Sequence, residues 1–194
     1  MKNLLSQISK FVSLSNTDEE LIKAKIEIKK YTKKQVIEDC ETVYNNIYFV
    51  KNGCIQLSLI GDNGNEQTIQ FSIKGWWLTD FDSFNYQKKS FYQLKAIKNS
   101  EVIKISRANL NLLRLEIPQL ERYFRIVAER AYSASLYRIS LMMMLSKEER
   151  YFHYLKHFPR FAENVPQYIL ASYLGISPEY LSELRNRTTN IKPA

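Results

Sequence analysis

All five prolines of this 194-residue chain lie at position 118 or later, and four of its five glycines lie between positions 53 and 75. Clustered glycine suits tight turns between strands, because glycine takes positive φ without a steric penalty. Proline suits helix starts and breaks, where its missing N–H is least costly. This partition predicts an α+β chain in which a β unit precedes an α unit.

The apolar patterning agrees. Strand-like segments run over 25–30, 35–38, 46–51, 54–60, 67–73, 91–97 and 101–105. In the fourth, Ile55, Leu57 and Leu59 alternate with Gln56 and Ser58, the period of a strand with one face buried. Asn52-Gly53 and Asp62-Asn63-Gly64-Asn65 are hairpin signals. Several short strands at this spacing point to a jelly roll or barrel, a β-roll in the present case. A short helix is expected to begin at Asn16-Thr17-Asp18, and another over 107–115.

Pro118 then opens a helical stretch to about Leu145. Roughly 28 residues at about 1.5 Å each span about 42 Å, more than a small barrel can cover. Leu120, Phe124, Val127, Ala131, Ala134, Arg138, Leu141 and Leu145 follow 4-3-4-3 steps, with Arg138 the one break in the apolar run. Tyr132, Leu136, Ile139 and Met143 make a second seam beside it. One seam can cover the β unit while the other meets a partner helix. Leu120, Phe124, Val127, Ala131, Ala134 and Leu141 are assigned to the dimer contact, so a charge at Val127 is expected to give monomers. A single broad stripe buried within one chain is the alternative.

Ser146-Lys147-Glu148-Glu149 is a capping box that starts a helix to about His157. Residues 160–165 read as a loop or short strand. The segment 167–186 then reads as a helix-turn-helix. Ala171 sits where two helices would press together, Gly175 permits a left-handed turn, Ser177 caps the second helix and Pro178 opens it. Leu181 and Leu184 point back to the first helix. The residues left for a DNA groove are Gln167, Ser177, Glu179, Tyr180, Ser182, Glu183, Arg185 and Arg187. An ordinary helical hairpin is the plain alternative.

The net charge of +8 suits a phosphate polyanion. It is spread rather than massed: residues 1–117 carry 17 basic against 13 acidic side chains, and residues 118–194 carry 11 against 7. Further phosphate contacts are expected from Arg150, Arg160, Arg187 and Lys192. Two cysteines, Cys40 and Cys54, exclude a disulfide scaffold and a four-thiolate cluster. No run of about 18 apolar residues predicts a membrane helix. The first eight residues lack the apolar stretch of a signal peptide, so the chain is expected to be cytoplasmic, with no membrane partner.

A β-roll, a long helix and a C-terminal helix-turn-helix together resemble the Crp/Fnr family of bacterial transcription regulators over nearly the whole chain. Ile47-Tyr48-Phe49-Val50-Lys51-Asn52-Gly53 is similar to the family's apolar strand that runs into a glycine turn. Glu148-Glu149-Arg150-Tyr151 and Ala171-Ser172-Tyr173-Leu174-Gly175-Ile176 resemble a subgroup without a cyclic-nucleotide signature. The resemblance implies a homodimer on a partly palindromic site in double-stranded DNA, with RNA polymerase as a further partner. It also implies the division into a β-roll sensor domain at 1–117, a dimerisation helix at 118–145 and a DNA-binding domain at 146–194. Glu179 matches a position where many members also carry Glu.

Members that bind cyclic nucleotides carry Gly-Glu-Leu for the ribose and Arg-Ser-Ala or Arg-Thr-Ala for the phosphate. Here the first element reads Gly75-Trp76-Trp77-Leu78 and the second aligns near Ser90-Phe91-Tyr92. Cyclic AMP is therefore not expected, and no cofactor is. Trp76, Trp77, Phe81, Phe91 and Tyr92 can line an apolar pocket for an unidentified small effector, or simply fill a core. His153 and His157, with Glu149 one turn earlier, lack a fourth ligand, so no metal is expected. No histidine precedes residue 153, and no phosphate loop or nucleophile elbow occurs, which argues against a cupin-type or other enzyme. A ligand-binding or protein-interaction module without DNA binding is the remaining alternative.

Overall fold

The computed structural model describes residues 2–61, 64–159 and 164–189. Two helices, α1 (Lys2–Ile8) and α2 (Asn16–Ala24), lead into eight strands: β1 (Glu27–Tyr31), β2 (Val36–Glu38), β3 (Asn46–Asn52), β4 (Cys54–Ile60), β5 (Glu66–Ile73), β6 (Trp77–Leu78), β7 (Tyr92–Ala96) and β8 (Ser100–Ser106). A short helix, α3 (Phe81–Tyr86), follows β6. After β8 come α4 (Arg107–Glu116), α5 (Gln119–Met144) and α6 (Lys147–His157), and then α7 (Gln167–Leu174) and α8 (Pro178–Thr189). The strands pair antiparallel in two sheets, ordered β1-β8-β3-β6 and β2-β7-β4-β5. This is the expected β-roll followed by helices. The hairpin signal at 62–65 falls partly outside the described residues, and the Gly61 N–H closes that turn on the Asn65 carbonyl at 2.9 Å.

The central strands are buried on both faces. On β3, Tyr48 and Val50 join the roll interior with Ile55, Leu57, Leu94 and Val102. Ile47 and Phe49 face the other way, into a core with Leu4 and Ile8 of α1, Leu110 and Leu113 of α4, and Leu120, Tyr123 and Phe124 of α5. Trp77 belongs to this second layer and donates its Nε1–H to the Tyr123 hydroxyl at 2.8 Å. A third core packs Cys54, Phe71 and Ile73 of the other sheet beneath Leu141, Tyr154, Ile169, Ala171 and Leu184 of the helices.

Three expectations are corrected here. Gln56 and Ser58 are not the wet face of β4: they are 1% and 0% exposed, because the C-terminal helices cover that side of the sheet. Gln56 donates its amide to Thr68 Oγ1 at 3.0 Å and Ser58 its hydroxyl to Glu66 Oε1 at 2.7 Å, while Gln56 Oε1 finds no partner among the described residues. Leu59 lies beyond the covered area and is exposed. The cap of α2 is Ser15, one residue before the expected start, in a capping box with Asp18. The elements α1, α3 and β6 carry no periodicity long enough to be read from sequence.

Gly53 turns β3 into β4 at φ 90°. A Cβ there would collide with Ser100 Oγ and lie 2.6 Å from the Asn99 carbonyl oxygen. Ser100 Oγ also accepts the Cys54 N–H at 3.0 Å, so the neighbour cannot simply withdraw. Gly53→Ala is expected to lower the unfolding free energy by about 2–4 kcal/mol in urea denaturation, from left-handed strain and overpacking together.

Candidate nucleic-acid interface and effector region

The helix-turn-helix is built as its residues require. Ser146 and Glu149 form the capping box of α6, the serine side chain receiving the Glu149 N–H and the carboxylate receiving the Ser146 N–H. Ala171 is fully buried, Gly175 sits at φ 69° after α7, and the Ser177 hydroxyl accepts the Tyr180 N–H at 3.1 Å. Leu181 and Leu184 are buried in the core shared with α7. On the opposite side of α8, Glu179, Ser182, Glu183, Arg185 and Arg187 are exposed.

The predicted groove residues are not equivalent. Ser177 is exposed but its hydroxyl serves as the cap. Tyr180 is half-buried and packs against the core. Gln167 is half-buried, with a side-chain oxygen that finds no partner among the described residues. Arg187 is held by Glu183 at 2.6 Å and Glu148 at 3.6 Å. Among the described residues nothing pairs with Glu179. Arg160 and Lys192 lie outside the described residues.

Arg150 is a correction. It is 9% exposed, and its guanidinium donates to the Leu174 carbonyl at 2.5 Å and the Leu145 carbonyl at 3.3 Å. It ties the C-terminal ends of α5 and α7 together and is not placed to touch phosphate.

The C-terminal helices also dock on the β-roll. The Ser172 hydroxyl of α7 accepts the Thr68 N–H of β5 at 2.8 Å, and the Gln67 amide donates to the Ser172 carbonyl. Arg138 of α5 donates to the carbonyls of Ile69 at 2.7 Å and Tyr173 at 2.9 Å, with its guanidinium 4.1 Å from the Tyr173 ring centre. The one polar break in the long seam is thus the joint between roll and helices.

Four of the six residues assigned to a dimer contact, Leu120, Phe124, Val127 and Leu141, face inward, which overturns the assignment for them. Leu120 and Phe124 are buried in the core of the first sheet, where Val127 packs against them, and Leu141 is buried in the C-terminal core. Ala131 is half-buried and Ala134 exposed. The second seam is the one left open: Tyr132, Leu136, Ile139 and Met143 are 65%, 46%, 52% and 82% exposed. Periodicity reveals two seams but not which one the rest of the chain covers.

The five aromatics assigned to an effector pocket do not converge. Trp77 is a core residue between Phe49 and Phe124, with ring centres 5.2 and 5.3 Å away. Phe81 and Phe91 point outward, Phe91 being 74% exposed. Tyr92 lies on β7, where its carbonyl accepts the Tyr44 hydroxyl at 2.6 Å. Of the five, only Trp76 lines the cavity of about 850 Å³ between β5, α5 and the C-terminal helices.

The acid beside Ser90 is Asp80, where the sequence alignment had set Trp76. Ser90 donates its hydroxyl to Asp80 Oδ2 at 2.8 Å, and Asp80 Oδ1 accepts the Asp82 N–H at 3.0 Å to cap α3. Both carboxylate oxygens are therefore committed within the protein, and no guanidinium stands at Ser90. The roll interior next to them holds Tyr44 and Tyr48, whose hydroxyls are pushed well above the usual phenol range by burial.

Cys54 is buried, which pushes its thiol up to about 12. His153 meets the Tyr137 hydroxyl at 2.6 Å. Among the described residues, no group of three or more His, Cys, Asp or Glu could hold a metal ion, and no helix is long and apolar enough to cross a membrane.

Residues 28–115 match the family model of the cyclic nucleotide-binding domain. Solved structures match over most of the chain. The c-di-GMP responsive global regulator CLP of Xanthomonas campestris superposes with a TM-score of 0.70 at 16% identity, covering 91% of this chain and 92% of that one. FixK2 of Bradyrhizobium japonicum gives 0.74 at 17% identity, covering 87% and 89%. The Thermus thermophilus catabolite activator protein gives 0.58 at 15% identity, covering 95% and 87%. The chain has the Crp-like fold. No curated protein sequence matches it.

Arg150→Ala is expected to lower the unfolding free energy by about 1.5–3 kcal/mol, since the buried carbonyls of Leu145 and Leu174 lose charged donors. A purely phosphate-binding arginine would leave urea unfolding unchanged.

Proposed function

We propose that this chain is a sequence-specific, DNA-binding transcription regulator of the Crp/Fnr type, acting in the cytoplasm as a homodimer on an inverted-repeat promoter site. The observation that carries this reading is the outer face of α8. Leu181 and Leu184 lock one side onto α7, while Glu179, Ser182, Glu183 and Arg185 stand exposed on the other. A rigid helix presented in this way is the shape the major groove admits. The net charge of +8 supports binding to a polyanion. In this reading residues 1–117 sense, 118–145 pair and 146–194 bind DNA, with RNA polymerase as a further partner.

Within each half-site Glu179 reads a base. A carboxylate near base edges is tolerated beside a donor such as the cytosine N4 amine. Selection from random duplexes is expected to enrich an inverted repeat with half-sites about 34 Å apart. Glu179→Ala is expected to relax one base pair in each half-site, losing about 1–3 kcal/mol of discrimination. Failure to enrich a repeat would reject the reading.

The dimer contact in this proposal is the Tyr132, Leu136, Ile139 and Met143 stripe, which leaves more apolar surface in water than a lone helix face usually does. Ile139→Glu is expected to yield monomers in sedimentation velocity with little change in stability. Val127→Glu is expected instead to weaken folding by about 1–3 kcal/mol, because its charge enters the chain's own core.

The sensing domain, on this proposal, does not use cyclic AMP or cyclic GMP. Lys88 and Lys89 next to Ser90 reach Asp82 and Glu41 instead, so a cyclic phosphate there would lose its hydration without gaining a guanidinium. Calorimetry with either nucleotide is expected to give no saturable heat up to about 1 mM.

A further inference from the structure

We propose that the cavity between β5, α5, α6 and α7 binds a small apolar carboxylate, an organic acid with an aromatic or branched body, whose carboxylate is received by Arg138. The cavity holds about 850 Å³, within the range of small-molecule sites. Rings make up about half of its lining, among them Phe71, Trp76, Tyr137, Phe158 and Tyr173, with Gln70, Ser133, Ser135 and His157 as polar neighbours. Arg138 is the one guanidinium among them. Its guanidinium bonds to the carbonyls of Thr68, Ile69 and Tyr173, which carry no net charge. Among the described residues lining the cavity there is no aspartate or glutamate. A half-buried guanidinium without a counter-ion, in an apolar wall, favours an anion that brings its own apolar body.

The cation is also fixed in place. Backbone carbonyls hold Nε and both terminal nitrogens, and the Tyr173 ring lies 4.1 Å beneath. These bonds use four of its five N–H groups, so a carboxylate is received on the one left at Nη1. No lining residue is shared with the Asp80–Ser90 pair, so this site is separate from the interior of the roll. It takes walls from the β-roll, the long helix and α7 of the helix-turn-helix, so an occupant touches the joint between them. Calling the acid an effector rests on the regulator reading above; the binding itself does not.

Calorimetry on the free protein tests it, with naphthalene-2-carboxylate and the neutral 2-naphthamide as probes. The carboxylate is expected to bind about tenfold or more tighter than the amide. Arg138→Gln is expected to remove that difference. Ala134→Trp, which places an indole in the cavity from α5, is expected to abolish binding of both probes. Should Arg138→Gln unfold, the charge preference of the wild type and the Ala134→Trp block decide the matter. Equal affinities, absence of binding by either probe, or undiminished binding in Ala134→Trp would overturn the proposal. No DNA is present in these titrations. A chain that binds the acid but selects no DNA site therefore refutes the regulator reading and leaves the pocket standing.

Discussion

The helix α5 belongs to two hydrophobic cores at once, and the arrangement of every later element follows from that double membership. Its first turns bury Leu120, Tyr123 and Phe124 against the first sheet, and its last turns bury Leu141 with the C-terminal helices. Over 26 residues, roughly 39 Å at about 1.5 Å per residue, the same rod spans from one sheet's packing to the other's. Between the two anchored ends the outward seam lies uncovered, and Ala134 of the inward one is exposed as well. Arg138 sits just before the second anchor and gathers carbonyls from β5 and α7, so the C-terminal helices are positioned through the same helix that carries the exposed seam.

This geometry explains why much of the fold could be read from the residues and why the site could be read only in part. The capping box at Ser146 and the turn at Gly175 are local, each set by a few adjacent residues, and both stand where the sequence puts them. The bounds of β4 are also as read, from the apolar run between Gly53 and Gly61. Which faces are covered is a different kind of fact. Gln56 and Ser58 look like a wet face until α7 lies over them, and Val127 looks like a dimer contact until the first sheet's core receives it. Both depend on partners more than 40 residues away, which no local period encodes.

The effector region shows the same limit. Aromatic residues close in sequence at 76–92 leave in different directions, because a strand, a short helix and a bend intervene. Asp80 and Ser90, ten positions apart, come within one hydrogen bond, and their contact closes the pocket lip on itself. Arg150 shows that a basic residue of the C-terminal helices can be wholly structural. The signal for this was its place within the capped helix that follows α5, where the carbonyls at the end of α5 lack partners of their own.

The position of β5 has a consequence for solubility. It is the last strand of its sheet, so one side of its backbone would face water as a row of unpaired groups, the kind of edge on which foreign chains assemble. Ser172 takes the Thr68 N–H, and Arg138 takes the carbonyls of Thr68 and Ile69. The docked helices are therefore the edge's cover. A chain whose α7 swings away trades a shielded margin for a sticky one.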